Sequence, residues 1–267
     1  MNFQRTYAIL LRVYYLMRGS FTRVFPLFAW SAIDIILWGF ITRYLSNVTH
    51  NNFNFLSTLL GAVLFWDFLT RAMFGVSTSF FEDVWSRNFL NIFASPLRVT
   101  EYLSGLVLAS ISTSAIGLIV MLLIATLVFG LSLFVYGIFF IPFILVLFVF
   151  GIALGIAAIS IVLRFGPAAE WFIWPIPQVI APLAAVFYPV ATLPIWLQPV
   201  ARLLPASYVF EGMRAMVAGK PVPIDLLVVG AALAVVDVLL ACWLFNAMYK
   251  RAVRSGLIAR YSAESIS

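Results

Sequence analysis

Charge, cysteine and histidine are scarce in this chain, and each shortage removes a class of function. Only 10% of the 267 residues are charged and 64% are apolar, whereas a soluble domain runs about a quarter charged and about half apolar. A mean hydropathy of +1.09 does not suit a soluble domain, whose surface must largely be wet. The single cysteine, Cys242, forbids an intrachain disulfide. With one cysteine and one histidine, His50, a Cys/His zinc cluster within the chain is excluded. His50 stands beside Asn51, Asn52 and Asn54 with no acid nearby in sequence, so it reads as a solvated loop residue rather than a base. The nucleophile-elbow pattern is missing. Neither lysine, Lys220 or Lys250, follows the glycine-rich loop that cradles nucleotide phosphates. No catalytic residue, metal site or cofactor is therefore expected in the chain, and it has no machinery of its own for binding or hydrolysing ATP.

What the sequence does hold is a series of long apolar runs. Only helices and closed barrels cross a bilayer, because every backbone polar group needs a partner inside the protein. A barrel would show segments of about ten residues alternating in polarity. These runs are continuous, so they predict an all-α integral membrane protein. A crossing takes about 20 residues. Six runs reach that length: roughly 24–41, 55–80, 102–129, 135–163, 171–190 and 226–249. Gly130 and Ser132 mark a tight turn between the third and the fourth.

The net charge of +6 comes from 16 Lys and Arg against 10 Asp and Glu. Nucleic acid is not the expected partner, because membrane proteins gather basic residues in the loops that stay in the cytoplasm. With the N-terminus inside, eleven basic residues fall in cytoplasmic segments and four in outer ones, Arg43, Arg202, Arg214 and Lys220. Six spans return the C-terminus to the cytoplasm, where Lys250 to Arg260 forms a basic cluster.

Three segments depart from plain crossings. From Asn2 to Arg18, Phe3, Tyr7, Leu10, Tyr14 and Met17 share one helical face and Arg5 and Arg12 lie opposite. This is the pattern of an amphipathic helix along the membrane surface, with its arginines toward the headgroups. From Phe81 to Glu101, Glu82, Asp83, Arg87, Asn88 and Asn91 alternate with Trp85, Phe89, Leu90, Ile92 and Phe93, which predicts a short amphipathic helix. Ser95-Pro96 reads as the N-cap and first-turn proline of the third span. Finally, ten of the thirteen prolines fall between Pro167 and Pro223 in a stretch that stays apolar. Apolar pieces broken by proline predict helices that enter the membrane and turn back, enclosed by protein or a water-filled cavity; the alternative is a kinked span followed by an ordinary outer loop.

Intramembrane charges are costly and flag function. Asp34 lies in the first span, Asp67 and Arg71 in the second and Asp237 in the last. Asp67 and Arg71 are four apart and can pair on one face. They can form a self-neutralised packing pair or line a polar route; both readings stand open. Gly151 and Gly155 form a GxxxG that permits close helix contact.

Phe81-Glu82-Asp83 through Asn91-Ile92-Phe93-Ala94-Ser95-Pro96-Leu97, with Glu101 and Gly105, resembles the coupling segment and third-span start of type-2 ABC exporter membrane subunits. Phe187-Tyr188-Pro189, Leu193-Pro194, Leu204-Pro205-Ala206-Ser207-Tyr208 and Glu211-Gly212-Met213-Arg214 resemble that family's signature before the final span. The resemblance covers nearly the whole chain and implies one transmembrane domain over residues 1–267. Its parts are an interface helix at 1–22, spans one to four over 24–163 with a coupling helix at 82–94, and a fifth span, re-entrant segment and sixth span over 169–249. A cytoplasmic tail follows at 250–267. It further implies a dimer, normally of two identical copies, served by two separate ATPase subunits that hold the ATP and magnesium. Membrane lipids would surround it in a bacterial inner membrane. Glu82, Asp83, Arg87, Asn88 and Asn91 would couple to the ATPase, and Asp34, Asp67, Arg71, Tyr208, Glu211 and Arg214 would line or gate the pathway. Substrates of this class include lipid-linked polysaccharides, drugs and lipids. The competing readings are a proton-coupled secondary transporter, which would need acid relays and internal repeats, and a membrane enzyme acting on lipid, which would need a clustered acid/base or metal set.

Overall fold

In hydrocarbon a backbone group without a partner costs several kcal/mol, so the apolar runs close their own hydrogen bonds as helices. The computed structural model describes residues 3–48, 56–86, 91–92 and 95–255, and no strand occurs among them. α1 is Phe3–Arg18, α2 Phe21–Val48, α3 Gly61–Trp85, α4 Val99–Phe129 and α5 Phe140–Phe165. Shorter pieces follow: α6 Ile176–Leu183, α7 Gln198–Arg202 and α8 Pro205–Val217, before the long α9 Ile224–Arg254. A π-helical turn at Leu56–Leu60 leads into α3, and a 3₁₀ stretch at Leu133–Phe139 leads into α5.

Five helices are long and apolar enough to cross a membrane: Phe21–Val48, Leu56–Trp85, Val99–Phe129, Leu133–Phe165 and Ile224–Arg254. The fifth predicted run, 171–190, does not form a continuous helix. It breaks into a 3₁₀ turn at Pro167–Phe172, the eight residues of α6, and turns through 184–189. Pro175 and Pro177 restart the helix rather than continue it, and Pro182 sits inside its last turn. The third long helix opens at Val99, not at Ser95-Pro96. Its cap is Arg98, whose backbone N–H donates to Glu101 Oε2 at 3.0 Å. It closes on Gly130, at φ +72°, with the Leu131 N–H bonded to Ala125 O. That is the left-handed turn glycine favours at a helix end.

Two buried clusters stack along the helices. One holds Leu60 of the π turn, Ala62–Phe65, Phe68 and Leu69 of α3, Met121 and Ala125 of α4, Phe143–Phe150 of α5 and Ala234 of α9. The other holds Met73–Val84 of α3, Tyr102–Leu106 of α4, Ile152–Leu163 of α5 and Ala241 and Phe245 of α9. α5 and α9 therefore run in the same direction, and Val146 meets Gly230 near the start of both. The chain between them travels back from one cluster to the other: Ala169 and Ile173 lie in the second, Ala184 and Val186 in the first. α8 then packs Val209, Phe210 and Met213 into the first cluster. The level of the second cluster is the basic end, where α2 and α4 begin and α3, α5 and α9 finish.

The GxxxG lets α5 close on α3. A Cβ on Gly151 would stand 2.6 Å from Leu69 O, and one on Gly155 2.7 Å from Met73 O. Gly155→Val is expected to destabilise by about 1–3 kcal/mol by forcing the helices apart. Ala232→Val, on the exposed face of α9, is expected to leave the detergent melting midpoint unchanged.

Candidate functional site

α2 carries Trp30, Asp34 and Trp38 at intervals of four, on one helical face. α3 presents Asp67, Thr70, Arg71 and Phe74 to the same space, and the return segment adds Trp174, Gln178 and Phe187. Together they enclose a cavity of ≈ 610 Å³. Arg71 Nε donates to Asp67 Oδ2 at 2.6 Å, and Ser31 Oγ, from α2, donates to the same oxygen at 2.9 Å. The Arg71 guanidinium lies against α4 at Gly117, where a Cβ would stand 2.6 Å from Nη1. Asp34 is exposed to the cavity and makes no hydrogen bond or ion pair among the described residues. Two ring pairs flank it. Trp38 stacks on Phe187 with centroids 4.8 Å apart, and Phe74 meets Trp174 at 5.1 Å. Asp237 is not among the lining residues.

Tyr208, Glu211 and Arg214 lie apart from this cavity and form a latch. Glu211 Oε1 accepts the Val190 N–H at 2.7 Å and pairs with Arg214 at 3.2 Å. Arg214 Nη1 donates to the carbonyls of Ala185 and Val186 at 3.0 and 3.2 Å. Ala185 has φ +52°, a left-handed conformation that costs a non-glycine residue about 1–2 kcal/mol. The latch thus holds a strained turn at the top of the return segment. Tyr208 Oη donates to Arg202 O at 2.9 Å and fastens α7 to α8. Burial lowers the pKa of the Arg214 guanidinium, and Glu211 opposes that shift.

A second charged cluster ties the basic end together. Asp83 is fully buried; it pairs with Arg12 of α1 and accepts the Tyr102 hydroxyl at 2.7 Å. Arg5 pairs with Glu101 at 3.6 Å and donates to Pro96 O. Arg23 of α2 pairs with Glu82 at 3.1 Å, and Trp85 Nε1 donates to Glu170 Oε2 at 2.9 Å. Arg5 and Arg12 of α1 accordingly turn toward the protein and not toward headgroups. They share a face with the buried Ile9 and Val13, while Phe3, Tyr7 and Tyr14 are left exposed. Carboxylates on α3 and α4 give these arginines charge-assisted partners inside the protein.

Of the five residues expected at the coupling segment, Glu82 and Asp83 belong to the last turn of α3, and Asp83 is an interior anchor. Asn91 is exposed on a helical turn with the buried Ile92. Arg87 and Asn88, with four more of the thirteen positions expected as the coupling helix at 82–94, lie outside the described residues, as does His50. The sequence reading missed Tyr102 as the second partner of Asp83. It also missed the Trp30–Asp34–Trp38 spacing, which was visible as a repeat of four.

Residues 9–217 match a family model described as ABC-2 type transporter. A search of curated proteins returns no match.

Proposed function

The chain belongs to the ABC-2 type transporter family, and from that premise we propose that this integral membrane permease subunit serves an ATP-driven exporter. The family implies ATP-binding cassette partners. In this reading two copies of the chain form the pathway and two ATPase subunits supply the energy, holding the ATP and magnesium that the chain has no loop to bind. The observation that carries the reading is the cavity. It sits between α2, α3 and the return segment, and it holds Asp34, Asp67 and Arg71 at the depth of the apolar helices. Charges are kept there at a cost, and a polar route is the use that justifies it.

Six crossings follow if the broken segment 167–187 makes the return from α5 to α9; the parallel run of those two helices supports this. Both termini then face the cytoplasm of the inner membrane, on the side that gathers Arg5, Arg12, Arg23, Arg164 and Arg251. Asn91, exposed at that end, offers the ATPase a contact. The Arg12–Asp83, Arg5–Glu101 and Arg23–Glu82 pairs join α1 to α4 at that end. A push delivered there moves α2 and α3, the two walls of the cavity, and nucleotide biases the pathway only through such a difference between states. Glu211 and Arg214 hold the outer turn that closes it, and Tyr208 braces the helix that carries them.

The test is purification of the tagged full chain from native membranes. The expected result is a complex containing an ATP-binding cassette subunit, whose ATP hydrolysis disappears when that subunit is stripped away. Transport by the chain in proteoliposomes free of any ATPase would overturn the proposal.

A further inference from the structure

We propose that the cavity between α2, α3 and the return segment binds cationic amphipathic molecules, those carrying an onium or amine centre beside rings or apolar groups. The inference builds on the permease reading and names the substrate class of that pathway.

Charge comes first. Arg71 is the one cation among the described residues that line it, and its Nε is committed to Asp67 with the guanidinium packed on Gly117. The Asp67–Arg71 pair is neutral as a unit, so the net charge of the lining is that of Asp34, and it is negative. Asp34 remains, facing the same space with no hydrogen bond or ion pair among the described residues. A carboxylate at that depth calls for a counter-cation.

The walls agree with the charge. Trp30 and Trp38 stand one turn before and one turn after Asp34 on the same face of α2. Phe74 and Trp174 pair on the opposite wall. Indole and phenyl faces attract cations through their quadrupole, indole most strongly, so aromatic walls in the same cavity as a carboxylate suit an ammonium. A neutral sugar would not need Asp34, and an anion would be repelled by it. The volume of ≈ 610 Å³ lies within the range of roughly 300–1,000 Å³ usual for small-molecule sites.

The experiment uses the full chain in lipid nanodiscs without ATPase, with the signal of empty nanodiscs subtracted. Tetraphenylphosphonium and tetraphenylborate, close in shape and opposite in charge, are titrated separately. The wild type is expected to bind the phosphonium saturably and at least about tenfold more tightly than the borate. Asp34→Asn, which keeps the side chain's shape, is expected to lose about tenfold in phosphonium affinity with its elution as a folded particle unchanged. Asp34→Glu is expected to retain the binding. Trp30→Leu is expected to lose about threefold or more. Equal affinity of wild type and Asp34→Asn, or equal binding of the two ions, overturns the inference. The two readings fail separately. If cation selectivity is found but no ATPase ever accompanies the chain, the site stands and the exporter reading falls. If an ATPase-driven complex moves cargo and the chain shows no such selectivity, only this inference falls.

Discussion

Arg12→Ala is expected to destabilise the chain more than Asp83→Asn, although the two residues form one ion pair. The reason is the difference in their surroundings. Asp83 is buried, with a side chain 1% exposed, while the Arg12 side chain is 25% exposed. Removing Arg12 leaves a carboxylate sealed between α1, α3 and α4 with only the Tyr102 hydroxyl as partner. Stranding a buried charge costs about 3–5 kcal/mol. Removing the charge of Asp83 leaves a guanidinium that can swing toward water, and the cost falls to about 1–3 kcal/mol. Because the stranded charge is the penalty, Arg12→Ala combined with Asp83→Asn is expected to recover part of the loss. A double-mutant cycle on melting midpoints in detergent reads this directly. Equal losses for the two single variants would mean that Asp83 is wetter than its burial implies.

The same pair shows where sequence reading succeeds and where it stops. α2, α3, α4, α5 and α9 were legible because apolar runs longer than a bilayer crossing leave helix as the one local solution. The turn at Gly130 was legible because its backbone needs positive φ. The return segment was harder. Its composition promises a crossing and its prolines forbid a regular one, and only the parallel packing of α5 and α9 defines what it spans. The α1 helix was read with the right two faces and the wrong neighbours. Periodicity separates Arg5 and Arg12 from Tyr7 and Tyr14, yet it carries no information on the carboxylates of Asp83 and Glu101, which lie about 70 to 100 residues further along the chain. The cavity followed the same rule. The Asp67–Arg71 pair was predictable from its spacing on one helix, whereas its contact with Ser31 and the approach of Asp34 depend on how α2 meets α3. Tyr208, Glu211 and Arg214 were picked out as pathway residues from a resemblance; Glu211 and Arg214 hold the strained Ala185 turn, Tyr208 fastens α7 to α8, and none of the three lines the cavity.

Thr70 offers the most direct test of the central claim, that a partner ATPase at the basic end changes which side the cavity faces. It lines the cavity on α3, and its hydroxyl bonds only to the backbone of its own helix, at Asp67 O, 2.9 Å away. Thr70→Cys in a Cys242→Ser background is thus a benign reporter with no competing thiol in this chain. The assembled complex with its ATPase, in proteoliposomes of known orientation, is labelled by a membrane-impermeant maleimide from each side in turn, without nucleotide and with ATP trapped. The account predicts that trapping ATP shifts the ratio of the two labelling rates by about tenfold or more, the scale at which one of two states becomes dominant. A labelling ratio that stays the same with and without trapped nucleotide would contradict it.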